Sequence, residues 1–365
     1  EHLLFKGTST RTGREISEAI EAVGGEMNAH TAHEHTAFYT RVPAEAASLG
    51  LDLLVEVLTD PAFDDDDVDS ERQVILEELH QAEDEGDDRV HALAHETLWG
   101  EHPLGREVLG VVDTIEAMGR DDIVGFLTSH YGPGNIVLAA AGAVDHGTVV
   151  EAGERFISSG SIRRRERERP DSPGPVRERA LLRRPLEQAH LAVVWPGLPA
   201  TDEDRYALAV LNQVFGGGLS SRLFQEVREE RGLAYSVYSS VSSYCDAGSL
   251  IAYAGTNPDR VAEVHRVIMS VADDVAEHGI TPREWEVARG FLEGATLLGL
   301  EDSSSVMARL GNHVCARGRV APIDEQIERL RAVTPEDVQQ VARRVLGTSP
   351  AICGVGPIDE ADLDR

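Results

Sequence analysis

Along the first 159 positions the spacing of apolar residues changes repeatedly, and each change predicts a new element. Ile16, Ala19, Ile20 and Val23 are spaced for one face of a helix over Glu15 to Val23, which Gly24-Gly25 ends. From Glu26 to Val42 the pattern turns strand-like, and the polar break at His33-Glu34 suits a hairpin. Helices follow at Ala44 to Leu58 and, behind the acidic run Asp64 to Asp67 that favours a helix N-terminus, at Val68 to Ala82. Arg89 to Trp99, Arg120 to His130 and Val149 to Ile157 read as further helices, and Asn135 to Ala143 as a buried strand.

The pattern fails between Ser158 and Arg179, where Ser-Gly-Ser, alternating arginine and glutamate, and three prolines have linker composition. It then restarts. Strands are predicted at Ala180 to Leu182, Ala189 to Val194, Ala234 to Val241, Gly248 to Ala254 and Ala351 to Val355, the third and fourth as an antiparallel pair. Helices are predicted at Glu203 to Val214, Arg222 to Arg231, Arg260 to Glu277, Pro282 to Leu298, Ser303 to Cys315 and Thr334 to Leu346. The order implies an α+β chain of two related domains, residues 1–159 and 180–365, joined by a linker at 160–179. Each is expected to be an antiparallel sheet with helices on one side.

Composition narrows the function. A net charge of -30 repels a phosphate backbone, so nucleic acid is not an expected partner. No run approaches the roughly 18 consecutive apolar residues of a membrane helix. Three widely spaced cysteines without a Cys-x-x-Cys suggest a reducing compartment, and with the acidity they point to a bacterial cytoplasm. A leader segment upstream of Glu1 stays open.

The chain opens Glu1-His2-Leu3-Leu4-Phe5-Lys6-Gly7-Thr8. An inverted zinc helix needs His-x-x-Glu-His, and Glu1-His2 is its second half, which would put the first ligand three residues before Glu1 and leave the first domain cut at its start. Glu71 and Glu78 lie seven apart on the predicted helix, on one face and about 10.5 Å from each other. Two carboxylates in the apolar stripe of Val68, Ile75 and Leu79 call for a neutralising cation. A metal ion is one candidate and arginines such as Arg72 are the other. Glu77 is rotated away from that face.

These strings together resemble the pitrilysin-type zinc metallopeptidases of family M16, the insulinase and processing-peptidase group. Glu78 follows His2 by 76 positions (78 - 2), close to the family's spacing to its distal glutamate, and Glu71 to Glu78 itself resembles the family segment. Gly24 to Thr31 resembles the family's active-site edge strand, and Arg228-Glu229-Glu230-Arg231-Gly232-Leu233-Ala234-Tyr235 its arginine-to-tyrosine element. The resemblance implies that zinc is held by His2 and Glu78, that Glu1 is the general base and that Glu71 supports the site. It implies that Asn28, Ala29 and Arg228 bind the backbone of an extended peptide and that Tyr235 donates to the oxyanion. A homodimer, or a heterodimer with a homologous subunit, is the implied assembly. The alternative is a non-catalytic peptide-binding or scaffold subunit. With two of three protein ligands, the 365-residue chain alone is expected to bind zinc weakly and cleave little.

Other candidate motifs read as structural. His91 and His95 are one turn apart but lack a glutamate between them. His30, His33 and His35 crowd the predicted hairpin, and His102 to Arg106 is a further family-like string. Gly216 to Ser221 lacks the Gly-Lys-Ser/Thr ending of a phosphate loop and reads as a flexible segment near the substrate path.

Overall fold

The structure is a computed structural model that describes residues 1–159 and 179–363; of the expected linker at 160–179, all but Arg179 lies outside the described residues. The elements run α1 (Gly13–Glu21), β1 (Glu26–Thr31), β2 (Thr36–Arg41), α2 (Ala47–Thr59), α3 (Asp65–Asp84), α4 (Gly86–Trp99), α5 (Val112–Ala117), α6 (Arg120–His130) and α7 (His146–Ser158). There follow β3 (Arg179–Arg183), β4 (Ala189–Pro196), α8 (Arg205–Phe215), a π-helical segment (Phe224–Glu230), β5 (Ala234–Ser243) and β6 (Gly248–Thr256). The chain ends with α9 (Val261–His278), α10 (Pro282–Gly299), α11 (Ser303–Arg317), α12 (Ile323–Ala332), α13 (Pro335–Val345), β7 (Ala351–Gly356) and α14 (Glu360–Leu363).

Packing divides the described residues into two compact units that do not follow chain order. One gathers Glu1–His80, 108–159 and Gly299–Cys315; the other gathers Gln81–Glu107, 179–298 and 316–363. The first unit is built on the β1/β2 hairpin, antiparallel from Glu26 opposite Arg41 to Thr31 opposite Thr36. α1 begins with a capping box, Thr12 accepting from the Glu15 N–H while Glu15 accepts from the Thr12 N–H, which satisfies two orphan donors. Ile16, Ile20, Leu53, Val57, Val68 and Leu79 are among its buried residues on α1, α2 and α3. Among the described residues 135–143 do not form the expected strand: no neighbouring strand offers a ladder there, and Val137 and Leu138 are exposed.

The second unit carries a five-stranded sheet in the order β3-β7-β4-β6-β5. All its pairs are antiparallel except β3 with β7, which is parallel. Its helices are not confined to one side. Every residue of β6 is buried, and alternate residues go to opposite cores. Leu250, Ala252 and Ala254 join Leu191, Val193 and Trp195 against α8, α9 and α13, while Ile251 and Tyr253 join Ala192 and Val194 against Val90, Ala94 and Leu98 of α4. A strand apolar on both faces needs cover on both, and α4 supplies the second layer.

Candidate functional site

His2 to Phe5 form a single 3-10 turn whose Leu4 is buried. The turn is held from behind. The Gly13 N–H donates to the Lys6 carbonyl at 2.9 Å, and a Cβ on Gly13 would stand 2.7 Å from that oxygen, so only glycine lets α1 start this close. Just beyond, Thr8 and Thr10 both donate to Glu56 Oε1 of α2 at 2.7 Å, and Arg11 pairs with its other oxygen.

The fixed turn aims His2 at α3. His2 Nδ1 lies 2.8 Å from Glu71 Oε1, and its Nε2 lies 4.0 Å from Glu78 Oε1. Glu71 is nearly buried, its side chain 7% exposed, and its second oxygen pairs with Lys6 Nζ. Burial alone would push the Glu71 carboxyl up; hydrogen bonds and charge from Lys6 and His2 more than offset it and hold the group below the ordinary carboxylate range. Glu78 is half-exposed on the same helix face, whereas Glu77 turns to solvent. Arg72, the alternative partner, instead binds Asp69 and donates to the Met118 carbonyl at 2.8 Å. The Glu1 carboxylate accepts from the Thr31 hydroxyl at the end of β1.

This donor set suits zinc. The Nε2 to Oε1 separation of 4.0 Å is too long for a hydrogen bond and about half an ångström beyond the ~3.4 Å that separates two donors on a tetrahedral zinc with bonds of ~2.1 Å, a gap that a small rotation of the half-exposed Glu78 side chain closes. A carboxylate on Nδ1 is the usual partner of a metal-bound imidazole, because it fixes the tautomer and ring orientation. Among the described residues no group of three His, Cys, Asp or Glu side chains converges as a closed metal site, so these two donors are what the chain shows.

Asn28 and Ala29 lie in β1 opposite Tyr39 and Phe38, and β1 pairs only with β2 among the described residues. In the second unit Arg228 and Tyr235 come together: the Arg228 guanidinium lies 4.7 Å from the Tyr235 ring and 4.8 Å from that of Phe224. The expected α-helix over 222–231 becomes π-helical from Phe224, and β5 shifts register between Ala234 and Ser236. Tyr235 is the extra residue of that bulge. Out of the ladder, its ring is 80% exposed, as bulges re-aim side chains.

The remaining motifs serve packing. His91 Nε2 and the Tyr238 hydroxyl share a hydrogen bond at 2.9 Å, and the His91 ring stacks on Tyr253 at 5.3 Å. His95 Nε2 lies 3.3 Å from the Tyr244 hydroxyl. Leu104 and Gly105 of the His102 to Arg106 string are buried in a tight turn. Gly216 is buried and closely packed, a Cβ there meeting the Ser239 nitrogen at 2.5 Å, whereas Gly217 is exposed and Gly218 half-buried. Lys6 and Thr31 were not singled out by their pattern, although Lys6 carries a signal as the only lysine in the chain.

The family model described as Insulinase (Peptidase family M16) matches residues 1–111, and that of the Peptidase M16 inactive domain matches residues 117–292. An uncharacterized zinc protease of Streptomyces coelicolor is 45% identical over 375 residues, covering 100% of this chain and 81% of the relative. The chain belongs to peptidase family M16. Two further relatives, uncharacterized zinc proteases of Mycobacterium tuberculosis and Bacillus subtilis, are 42% and 35% identical, covering 98% of the chain and 82% and 87% of their own lengths. The α+β fold of the family is matched by the peptidase M16 inactive domain from Pseudomonas fluorescens, with a TM-score of 0.90 at 20% identity over 98% of this chain and 87% of that one. A protease from Helicobacter pylori gives 0.89 at 21% identity, over 98% and 88%. Among the described residues no helix is long and apolar enough to cross a membrane.

Proposed function

We propose that this M16 chain belongs to a zinc-dependent endopeptidase acting on extended or unfolded peptide segments. The observation that carries the reading is the setting of His2, its Nδ1 on the buried Glu71 and its Nε2 turned to Glu78 at 4.0 Å. Zinc is also the metal in the relatives' names. His2 and Glu78 are the two proposed donors, with Glu71 orienting His2. When bound, zinc supplies an acidified water and a polarised peptide carbonyl. Glu1 takes the proton of the attacking water on its carboxylate and returns it to the leaving amine. The free edge of β1 at Asn28 and Ala29 pairs with the substrate backbone, which selects extension rather than sequence. Arg228 is proposed to hold substrate, and the exposed Tyr235 hydroxyl to donate to the oxyanion.

The test is Glu1→Gln in the full-length protein. Cleavage of an unstructured peptide should fall about 10²–10⁴-fold while one zinc per chain is retained. Cleavage equal to wild type would remove Glu1 as the base. The second reading, a non-catalytic peptide-binding subunit, is favoured by the name of the domain model over residues 117–292. It requires wild-type protein to hold peptide and never cut it.

A further inference from the structure

We propose that Lys6 is a positioning residue, whose single ammonium contact locks the Glu71 carboxylate and thereby the His2 ring. The inference rests on the reading of His2 and Glu78 as metal donors. Among 34 lysines and arginines Lys6 is the only lysine, and every other basic side chain that forms an ion pair with a carboxylate does so as arginine or histidine. At this position the difference matters. Glu71 is met at both oxygens by the same short segment, Oε1 by a hydrogen bond with His2 and Oε2, which has no hydrogen-bond partner, by the ion pair with Lys6. An ammonium makes a point contact and leaves Oε1 to His2, whereas a guanidinium presents a planar fork matched to both oxygens of a carboxylate.

The last torsion of a glutamate is broad, so a carboxylate held at one oxygen is free to turn. Held at both, it keeps Oε1 on His2 Nδ1, and the ring keeps Nε2 toward Glu78. The backbone of Lys6 is itself fixed, its carbonyl accepting from the Gly13 N–H at 2.9 Å and the next carbonyl, of Gly7, accepting from the Ala62 N–H at 3.0 Å. Lys6 therefore reaches Glu71 from an anchored base, by a side chain that is 40% exposed while its target is 7% exposed.

The experiment compares wild type, Lys6→Met and Lys6→Arg in the full-length protein, with two readouts. The first is ¹⁵N NMR of the His2 ring in metal-free protein; the second is zinc affinity by competition with a chromophoric chelator. Wild type should carry the His2 proton on Nδ1. Lys6→Met should spread it over both nitrogens and weaken zinc binding about 10–100-fold, as loss of a partner behind a metal ligand does. Lys6→Arg keeps the charge and should still weaken zinc and lose the Nδ1 signature, because the fork competes for Oε1. Lys6→Gln, which keeps one donor nitrogen without the charge, should fall between wild type and Lys6→Met, and it replaces Lys6→Met if that variant does not fold. Wild-type tautomer and affinity within twofold in Lys6→Met, or in Lys6→Gln where it stands in, would overturn the proposal; wild-type behaviour in Lys6→Arg would overturn its point-contact basis. Unchanged zinc affinity in both His2→Ala and Glu78→Ala would instead overturn the metal-donor reading, and the metal-free tautomer would still judge Lys6.

Discussion

In the first unit His2 faces carboxylates, Glu71 at 2.8 Å and Glu78 at 4.0 Å; in the second, His91 and His190 face the hydroxyls of Tyr238 and Tyr253, each at 2.9 Å. The carboxylate pair draws positive charge to the open nitrogen of His2. The tyrosine cage does the reverse. Burial holds His91 and His190 below the ordinary histidine range, against the opposing charge of Asp87, and it pushes the hydroxyls of Tyr238 and Tyr253 up. Tyr238 and Tyr253 are direct cross-strand partners with ring centroids 5.0 Å apart, so the cage belongs to the sheet itself. Histidines of similar sequence appearance thus divide by the charge of their partners. A ring between carboxylates is suited to a cation, and a ring between phenols is suited to a core.

The sharpest way to break this contrast is to remove one histidine from each unit. His2→Ala should lower peptide cleavage at least as far as loss of the general base, about 10²–10⁴-fold, and lower zinc content with it. His91→Ala should leave zinc content unchanged and cost about 1–3 kcal/mol of stability, through lost ring packing and an orphaned Tyr238 hydroxyl. Zinc assay and denaturant unfolding on both variants decide it. Loss of zinc in His91→Ala would place the second cluster in the chemistry and end the distinction.

The two settings also differ in their pH windows. An unfolded histidine titrates near pH 6.5, while His91 and His190 stay neutral to lower pH in the fold. Between those limits the unfolded chain binds more protons. Their contribution is therefore complete above the unfolded value and is lost as pH falls through the folded one, at most about 1.4 kcal/mol per histidine per pH unit. Glu71 has the same sign at lower pH, its contribution present above the ordinary carboxylate value of 4.5 and lost as pH falls through its lowered one. The stability of the second unit should thus fall from pH 7 to 5.5 while Glu71 stays ionised. Hydrogen exchange resolved by unit measures this, and the double variant His91→Asn, His190→Asn should flatten the slope.

What the chain's residues disclosed about these regions follows the range of the interactions involved. The helix carrying Glu71 and Glu78, the β1/β2 hairpin and the β5/β6 pair were legible because period and turn residues are local signals. So was the sharing of one helix face by Glu71 and Glu78 rather than Glu77, which needs only the 100° step of a helix. Residues 135–143 misled because an apolar run states that a segment prefers burial and not whether a partner strand is available. The second face of the β4/β6 sheet was missed for a related reason: α4 is amphipathic by pattern, but the unit it covers is set by tertiary packing. Tyr235 was singled out by resemblance alone, while the bulge that exposes it depends on the register of β5 against β6 and leaves no local mark.

The smallest change isolates the hydrogen bond of the cage from its packing. Tyr238→Phe keeps the ring against Tyr253 and removes only the hydroxyl that His91 Nε2 meets at 2.9 Å. A net hydrogen bond is worth about 0.5–1.5 kcal/mol, so a loss near 1 kcal/mol is expected, well below that of His91→Ala. His91 Nε2 would then lose its hydroxyl partner while the ring stays stacked on Tyr253 in the same half-buried surroundings. If charge is excluded there by burial rather than by the tyrosine, its titration followed by NMR should remain below the ordinary range in Tyr238→Phe. A return of His91 to the ordinary range would show that the hydroxyl, and not desolvation, keeps the ring neutral, and the contrast with His2 would then rest on a single oxygen atom.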